Sequence, residues 1–302
     1  MRRLALIGMG LVLLGANGAR AEGLTIGSKS FTESVILGEI MAGLARDAGI
    51  AARHRAQLGG TRILWSALKG GEIDAYPEYT GTIAREILAA NPPRDAAAMR
   101  RALSTHGIAM SRPIGFNNTY ALAMKPAIAD RLGVKSISDL ARHPRLRLGF
   151  SNEFMDRGDG WPALRRRYAL PQTRVRGIDH DLAYRGLAAG DIDAIDIYTT
   201  DAEIAYYGLR LLTDDRGHFP AYDAVLLYRA DLAKRLPGAV KALRRIEGRI
   251  DASRMIALNV QVKLDGKSER TAAAGFLEAT LRIAPDARDS GLWTRLADRT
   301  AE

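Results

Sequence analysis

Cysteine is absent from the 302-residue sequence. The chain therefore has no disulfide bond, no thiolate metal ligand, no iron–sulfur cluster and no cysteine nucleophile. Aromatic residues are also scarce, at 6% of the chain, whereas hydrophobic residues make up 47%. This composition is typical of a folded globular protein that is stabilised by packing, and the length predicts two domains or one large α/β unit.

Motifs of common catalytic and cofactor sites are missing as well. The five histidines are widely separated and form no HExxH or His-x-His pair, so we expect no metal site. GxSxG, Walker A and GxGxxG motifs are absent, and we expect no cofactor and no catalytic residue. The acidic pairs Glu72/Asp74 and Asp191/Asp193 stand at predicted helix-to-strand turns, away from the strand ends where ligands bind.

Basic residues outnumber acidic ones by 44 to 34, which gives a formal net charge of +10. Such a charge is compatible with binding to nucleic acid or to an anionic membrane. The basic residues are scattered, however, and the longest run, Arg165-Arg166-Arg167, fits a solvated helix face. No zinc-finger, helix-turn-helix or aromatic RNA-binding motif accompanies them, so we expect no nucleic-acid partner.

The N-terminal segment has the pattern of a secretory signal peptide. Arg2 and Arg3 precede an apolar stretch from Leu4 to Leu14, and Ala19-Arg20-Ala21 fits the small-x-small rule for cleavage before Glu22. The apolar stretch is too short to cross about 30 Å of hydrocarbon as a permanent helix. No cysteine is present to carry a lipid anchor. We predict that residues 1–21 are removed and that the mature chain is a free periplasmic protein.

After this segment, short apolar runs alternate with amphipathic stretches, as in βα units around a mainly parallel sheet. Leu24–Gly27 predicts a strand, and a helix is predicted from Phe31 to Ala48, with Ser30 and Glu33 at capping-box spacing. The same order of strand, turn and helix start recurs at residues 146–153. The recurrence predicts a second α/β lobe.

An internal repeat is a stronger sign of two lobes. Residues 68–80 and 187–199 share Leu, Gly, Ile, Asp, Ala, Tyr and Thr at equivalent positions. Each copy predicts a helix with a glycine C-cap, followed by a strand that leads to a tyrosine, Tyr79 or Tyr198. Ligands of open α/β sheets bind outside the carboxyl ends of the strands, so we expect both tyrosines to face one cleft. The alternative is that both rings fill core space.

The chain is predicted to cross between the lobes near Pro113–Leu122 and again near Phe219–Leu227. Helical patterns follow from Leu232 through Ile256 and from Ser268 to Ile283. Two crossings allow hinge closure about a ligand. The predicted segments are residues 22–115 (first part of lobe 1), 116–221 (lobe 2) and 222–302 (return to lobe 1, with the C-terminal helices).

Tyrosine is the commonest aromatic residue, with ten in the chain. The tyrosines that we place at the cleft are Tyr79, Tyr120, Tyr198 and Tyr222. A quaternary ammonium has no N–H to donate, so cation–π contact with several rings suits it, at about 0.5 to 2 kcal/mol per ring.

Lys29 and Arg157, on equivalent turns of the two lobes, are candidate partners for a carboxylate, with the Thr82 hydroxyl as a third donor. The alternative for each basic residue is an ordinary surface charge.

Seven short motifs occur in a fixed order between about Gly23 and Ala284, which is essentially the whole mature chain. They are Ile26–Glu33, Leu37–Glu39, Leu58–Thr61, Tyr76–Thr82, Phe154–Gly160, Asp196–Asp201 and Asp214–Tyr222. Together these motifs resemble those of the glycine betaine/choline-type substrate-binding proteins of osmoprotectant ABC transporters. Several motifs in one order are far more specific than any single motif.

The resemblance implies an α/β, type II periplasmic-binding-protein fold of two lobes, joined by two hinge crossings with a ligand cleft between them. It also implies a tyrosine box for a trimethylammonium group, formed by Tyr79, Tyr120, Tyr198 and Tyr222. Lys29, Thr82 and Arg157 would bind the carboxylate, and the backbone around Asn118 would complete the cationic end. An acidic residue is often found near this position in the family, whereas Asn118 keeps a carbonyl and lacks the charge.

The sequence therefore predicts a periplasmic solute receptor for glycine betaine, or for a related compound such as proline betaine, that delivers its ligand to an ABC permease in the inner membrane. We expect it to act as a monomer. A choline or carnitine receptor of the same family is the main alternative, and a receptor for another small cation or amino acid is a further one. A deaminase-type enzyme of related fold would need a cysteine for its cofactor.

Overall fold

A computed structural model of the chain describes residues 23–284. The predicted signal peptide and the last part of the return segment lie outside this range. The strands are β1 (Leu24–Gly27), β2 (Ala52–Arg55), β3 (Ala75–Tyr79), β4 (Ile108–Met110), β5 (Tyr120–Met124), β6 (Leu148–Ser151), β7 (Val175–Ile178), β8 (Ala194–Tyr198), β9 (Arg210–Leu212) and β10 (Ala224–Arg229).

Helices surround these strands. The α-helices are α1 (Thr32–Asp47), α2 (Thr61–Gly70), α3 (Thr80–Thr82), α4 (Ala96–Ser104), α5 (Pro126–Leu132), α6 (Asn152–Asp156), α7 (Trp161–Tyr168), α8 (His180–Ala189), α9 (Glu203–Tyr206), α10 (Leu232–Arg235), α11 (Ala239–Leu243), α12 (Ala252–Lys263) and α13 (Glu269–Leu281). A π-helical turn covers Ile83–Ile87, and 3-10 turns cover Ser138–Arg142 and Arg244–Ile246.

The strands form two five-stranded mixed sheets, in the orders β2-β1-β3-β10-β4 and β7-β6-β8-β5-β9. In each sheet four strands run in the same direction, and the fourth in order, β10 or β5, runs antiparallel to both of its neighbours. The chain passes from the first sheet to the second between β4 and β5, and it returns between β9 and β10. The predicted two-lobed α/β architecture is therefore confirmed, while the residue limits of the lobes stay a prediction.

The internal repeat forms the same local structure twice. Helices α2 and α8 end at Gly71 and Gly190, whose φ angles of 77° and 85° are readily adopted only by glycine. The strands that follow, β3 and β8, occupy the centre of their sheets and are almost entirely buried. Their carboxyl ends carry Tyr79 and Tyr198, so equivalent strand ends of both sheets present a phenol ring.

Asp74 and Asp193, which occupy equivalent positions of the repeat, lie at the opposite strand ends. Asp74 pairs with Arg235 at 2.5 Å, and Asp193 pairs with Arg147 at 2.8 Å. Each carboxylate also accepts a backbone N–H from a neighbouring segment of its own sheet. These contacts anchor the beginning of β3 and β8.

The two crossing segments lie side by side. Asn117 and Asp223 form an antiparallel bridge, and the N–H of Ala224 donates to the carbonyl of Phe116 at 3.0 Å. The N–H of Asn118 donates to the carbonyl of the residue before Asp223, also at 3.0 Å. This pairing brings residues 116–118 and residues 222–224 next to each other, where the chain passes between the two sheets.

The return segment is more broken than predicted. In place of one helix from Leu232 through Ile256, α10, α11 and a 3-10 turn precede α12. Pro237 cannot continue a helix, and Gly238 and Gly248 adopt φ angles of 93° and 67° that end helical turns. The second predicted helix is confirmed as α13, and both α12 and α13 pack against α1. Within residues 23–284, the helices all fall short of the length and apolarity that a membrane span requires.

Candidate ligand-binding site

A cavity lies where the carboxyl ends of both sheets face each other. The volume of this cavity is about 20 Å³. The lining side chains are Lys29, Phe31, Tyr79, Thr82, Asn118, Tyr120, Glu153, Arg157, Tyr198 and Tyr222. All eight site residues predicted from the sequence thus line one cavity, and Phe31 and Glu153 are additions that the prediction missed.

Each sheet places two tyrosines at this cavity. Tyr120 and Tyr198 are register partners in the β5–β8 pair, and Tyr222 lies just before β10, which pairs with the strand that ends at Tyr79. The ring centroid of Tyr120 lies 5.1 Å from that of Tyr198 and 5.7 Å from that of Tyr222. Phe31 bridges the remaining gap, at 6.4 Å from Tyr79 and 5.4 Å from Tyr198. The four rings therefore lie around one cavity, and Tyr79, Tyr120 and Tyr222 are at the same time buried in the hydrophobic core.

The phenols of the cavity are neutral. Burial raises the pKa of Tyr79, Tyr120, Tyr198 and Tyr222 above the ordinary tyrosine value. Two of the hydroxyls donate to buried carboxylates at 2.5 Å, from Tyr79 to Glu33 and from Tyr222 to Asp159. A phenol that donates to a carboxylate gains electron density in its ring, and an electron-rich ring face attracts a cation.

Lys29 reaches the cavity from the turn after β1. Its Nζ atom lies 2.7 Å from Oε1 of Glu78, and both side chains are buried. The same oxygen of Glu78 accepts the N–H of Tyr79 at 2.9 Å. The charge of Lys29 is therefore balanced inside the protein, and the ammonium group keeps two further N–H donors. The alternative of an ordinary surface charge is wrong for Lys29.

Arg157 is also buried, at 4% exposure, which excludes the same alternative. Its Nε and Nη2 atoms donate to the two oxygens of Asp159, each at 2.7 Å. We expected this planar fork to meet a ligand carboxylate, but Asp159 occupies it. The donor that remains toward the cavity is Nη1, which lies 3.5 Å from the Thr82 hydroxyl and 3.6 Å from Oε1 of Glu153.

The Arg157–Asp159 pair also holds two rings of the cavity in place. Burial opposes the charge of Arg157, but Tyr120 and Asp159 raise its pKa well above the ordinary value. Asp159 has a lowered pKa, because the hydrogen bonds and charge of Arg157 outweigh the effect of burial. The guanidinium lies 5.3 Å from the ring centroid of Tyr120, and Asp159 accepts the hydroxyl of Tyr222. One ion pair thus orients a ring from each sheet.

Tyr198 is supported from behind by a histidine. The ring of His180 stacks on Tyr198 with centroids 4.5 Å apart. Asp201 accepts from Nε2 of His180 at 2.9 Å, from the N–H of Tyr198 at 2.8 Å and from the hydroxyl of Tyr184 at 2.7 Å. Burial lowers the pKa of His180, but Asp201 outweighs it, and the resulting pKa is about 9.

The His180–Asp201 pair predicts a pH-dependent stability. A raised pKa stabilises the fold fully below the ordinary histidine pKa of about 6.5, and the stabilisation is lost as the pH rises through about 9. The rise in pKa from about 6.5 to about 9 corresponds to about 3 kcal/mol of unfolding free energy. This value is an upper limit, because the His180 side chain is 17% exposed and water screens part of the interaction. Denaturant titrations across this range should show a decline that is absent in His180→Gln. Equal declines in both proteins would contradict the assignment.

The predicted capping box at the start of α1 is wrong. The N-cap residue is Phe31, and no side chain caps the helix. Ser30 is exposed, whereas Glu33 is buried at 3% exposure and accepts hydrogen bonds from residues of distant segments. Local spacing alone could not distinguish a cap from a buried tertiary contact.

A glycine in α3 predicts a sensitive position beside the cavity. A Cβ atom on Gly81 would lie 2.5 Å from Cδ1 of Tyr222, so Gly81→Ala must displace that ring. We expect the affinity for a ligand of the cavity to fall about tenfold and the free energy of unfolding to fall by about 1 to 3 kcal/mol. Gly70→Ala is the matched control, because nothing lies within 4 Å of its Cβ. Calorimetric titration and thermal unfolding test both variants, and unchanged affinity in Gly81→Ala would contradict the position of Tyr222 in the site.

Two lobes around a buried, aromatic-lined cavity with internally balanced ion pairs define a ligand-binding protein. The OpuAC family, described as "Substrate binding domain of ABC-type glycine betaine transport system", matches residues 22–279. The chain belongs to this family. The family consists of ABC transporter substrate-binding proteins and not of enzymes, which confirms the predicted class.

Individual relatives agree with this assignment. A Pseudomonas aeruginosa protein named "Glycine-betaine-binding protein" is 34% identical over 293 residues, covering 92% of this chain and 93% of the relative. A Helicobacter pylori protein named "Ergothioneine transport permease/ergothioneine binding protein EgtU" is 32% identical over 279 residues, or 90% of this chain. The chain spans half the length of that second relative.

A solved structure confirms the fold. The protein described as "Crystal structure of glycine betaine/carnitine/choline ABC transporter" superimposes with a TM-score of 0.69 at 28% identity. The match covers 85% of this chain and 98% of the solved one. The predicted type II periplasmic-binding-protein fold is therefore confirmed.

Proposed function

We propose that the protein is a periplasmic receptor that captures glycine betaine, or a related quaternary ammonium compound such as proline betaine, and delivers it to an ABC permease. The observation that carries the proposal is the convergence of four tyrosine rings, two from each sheet, on one cavity. A donorless cation is held best by several electron-rich ring faces. Four such contacts supply about 2 to 8 kcal/mol, so micromolar affinity, about −8 kcal/mol, also requires the contacts of the ligand carboxylate.

The donors at the cavity favour a ligand that also carries a carboxylate. Lys29 has two N–H groups besides the one directed at Glu78, Nη1 of Arg157 lies beside Thr82 and Glu153 at the cavity wall, and Thr82 supplies a hydroxyl. The two oxygens of a carboxylate can accept from all three residues, whereas the single hydroxyl of choline can serve fewer of them. Glycine betaine therefore fits the donor set better than choline does.

Closure of the two lobes is the proposed consequence of binding. Thr82, in α3, and Arg157, directly after α6, belong to opposite lobes, and the N–H of Gly158 donates to Glu86 across the same gap at 2.6 Å. A ligand that contacts rings from both sheets binds the closed state more tightly than the open state and so shifts the population toward it. The permease then receives the closed form.

The test of this proposal is calorimetric titration of the chain without residues 1–21. The ligands are glycine betaine, choline, carnitine, proline and ergothioneine. We expect saturable binding of glycine betaine and no saturable binding of proline, which lacks a quaternary nitrogen. Saturation by choline, carnitine or ergothioneine alone would assign the site to that ligand instead. No saturation by any of them would overturn the ligand class.

Export and a monomeric state complete the proposal. We infer that the segment 1–21 directs the chain to the periplasm, where cleavage leaves Glu22 at the N-terminus. N-terminal sequencing of the exported protein tests the cleavage site, and light scattering on the purified protein tests the monomer.

A further inference from the structure

Glu33 is a buried carboxylate that lies behind the cavity wall rather than in it. It stands in the first turn of α1 and is 3% exposed. Its Oε1 atom accepts from the hydroxyl of Tyr79 at 2.5 Å and from Nδ2 of Asn118 at 2.9 Å. Its Oε2 atom accepts from the hydroxyl of Thr200 at 2.5 Å and from Nδ2 of Asn259 at 3.1 Å. Each oxygen therefore accepts from one hydroxyl and one amide.

The orientation of both amides is fixed by other partners. The N–H of Thr200 donates to Oδ1 of Asn118 at 3.3 Å, and Nδ2 of Asn259 also donates to the carbonyl of Thr200 at 3.0 Å. Both amides consequently aim N–H groups at Glu33. The pKa of Glu33 is raised above the ordinary glutamate value, because the effect of burial exceeds that of its four hydrogen bonds, which favour the charged form. This set of donors suits the ionised carboxylate.

The charge of Glu33 differs from the other buried charges at the site. Lys29 is paired with Glu78, and Arg157 is paired with Asp159. Within residues 23–284, no Lys, Arg or His nitrogen lies within 4.0 Å of the Glu33 carboxylate. A buried charge without an opposite charge is costly even when it is hydrogen-bonded. A cation that enters the adjacent cavity would relieve that cost.

The cavity lies one hydrogen bond away from this carboxylate. Tyr79 and Asn118 both donate to Oε1 of Glu33, and both line the cavity. The phenol polarised by Glu33 is one of the four rings proposed to surround the quaternary nitrogen. Glu33 can thus act on a bound cation by its own field and through the electron density of the Tyr79 ring.

We propose that Glu33 is the counter-charge of the bound quaternary ammonium and sets the preference of the site for a cation over an uncharged group of the same shape. The inference rests on the proposed function. Glu33 is a specificity-determining residue in this account, although it does not itself touch the ligand. A purely structural role in joining the lobes would instead affect charged and uncharged ligands alike.

The test compares glycine betaine with 3,3-dimethylbutanoate, which replaces the quaternary nitrogen by carbon and keeps the carboxylate. We expect Glu33→Gln to bind glycine betaine about tenfold more weakly, a loss of about 1.4 kcal/mol, and to bind 3,3-dimethylbutanoate within about twofold of the unmodified protein. Glu39→Gln is the matched control, because Glu39 also lies on α1 but pairs with His54 at 2.9 Å. The affinity ratio is the affinity for glycine betaine divided by the affinity for 3,3-dimethylbutanoate. We expect the control to have the same affinity ratio as the unmodified protein.

The possible outcomes separate this inference from the proposed function. If the unmodified protein binds glycine betaine and Glu33→Gln leaves the affinity ratio unchanged, or weakens both ligands equally, the inference is overturned and the proposed function stands. If the unmodified protein binds no quaternary ammonium, both are overturned. Should Glu33→Gln fail to fold, Tyr79→Phe decides, because it keeps the ring and removes the hydrogen bond to Glu33. We expect its affinity ratio to fall by about threefold, and an unchanged ratio would overturn the inference.

Discussion

Tyr198→Ala is expected to weaken the binding of glycine betaine and choline by at least about tenfold. The substitution removes one of the four rings proposed to face the quaternary nitrogen, together with its contacts to Tyr120 and Phe31. A lost cation–π contact in a desolvated site accounts for about 2 kcal/mol, and lost burial of the ligand adds to it. Both ligands carry the same trimethylammonium group, so their losses should be similar.

Tyr206→Ala is the control for this experiment. Tyr206 is 65% exposed and lies on α9, in the same lobe. We expect its loss to leave both affinities unchanged. Calorimetric titration gives the affinities, and circular dichroism confirms that both variants are folded. A folded Tyr198→Ala protein with unaltered affinity would exclude this ring from the box.

The second large effect is expected at the carboxylate end. Replacing Arg157 alone would leave Asp159 buried without its partner, so the informative variant combines Arg157→Gln with Asp159→Asn. The variant removes a charged donor without stranding a charge. We expect glycine betaine to bind about tenfold to a hundredfold more weakly, as for a lost hydrogen bond between charged groups. Choline has no carboxylate, so its loss should be smaller, about threefold, and should arise from the Tyr120 and Tyr222 rings that the ion pair orients.

Asp159→Asn alone separates the two changes. It retains Arg157, with Glu153 at 3.6 Å from Nη1 as the remaining counter-charge, and it retains the contact with the Tyr222 hydroxyl. The loss of glycine betaine affinity should therefore be smaller than in the double variant. The measurement is the affinity of both ligands for all three proteins. Equal losses of glycine betaine and choline in the double variant would contradict a carboxylate role for Arg157.

Much of the site could be predicted because the sequence contains an internal repeat, residues 68–80 and 187–199. The positions of Tyr79 and Tyr198 follow from two copies of a helix, a glycine C-cap and a strand, and both copies fold as predicted. Tyr120 and Tyr222 could be placed because they stand at the two crossings between sheets. These inferences rest on local patterns and on the rule that parallel strand ends form the cleft.

The partners of the charged residues could not be predicted in this way. Lys29 and Glu78 are separated by 49 positions, and Glu33 contacts Asn259 across 226 positions. Such contacts depend on how the lobes and the return helices pack. The wrong prediction of a capping box at Ser30 and Glu33 shows the difficulty. The spacing of these two residues fits a helix cap, but tertiary packing buries the Glu33 carboxylate. The one signal available was that Glu33 belongs to a motif shared with the recognised family.

Asp159 illustrates a different limit. It lies two residues after Arg157, and this spacing allows an ion pair between the two side chains. The same spacing is equally compatible with an exposed turn. Burial decides the outcome, because an uncompensated guanidinium at 4% exposure would be too costly. The structure therefore gives Arg157 two tasks, a fixed one toward Asp159 and a proposed one toward the ligand.

The most direct test of the account is a crystal structure of the protein with glycine betaine. The account predicts that the quaternary nitrogen lies within about 6 Å of the ring centroids of Tyr79, Tyr120, Tyr198 and Tyr222. It also predicts that the carboxylate faces Lys29, Thr82 and Arg157. Density for the ligand outside this cavity, or a reversed ligand with its nitrogen at Lys29 and Arg157, would contradict it.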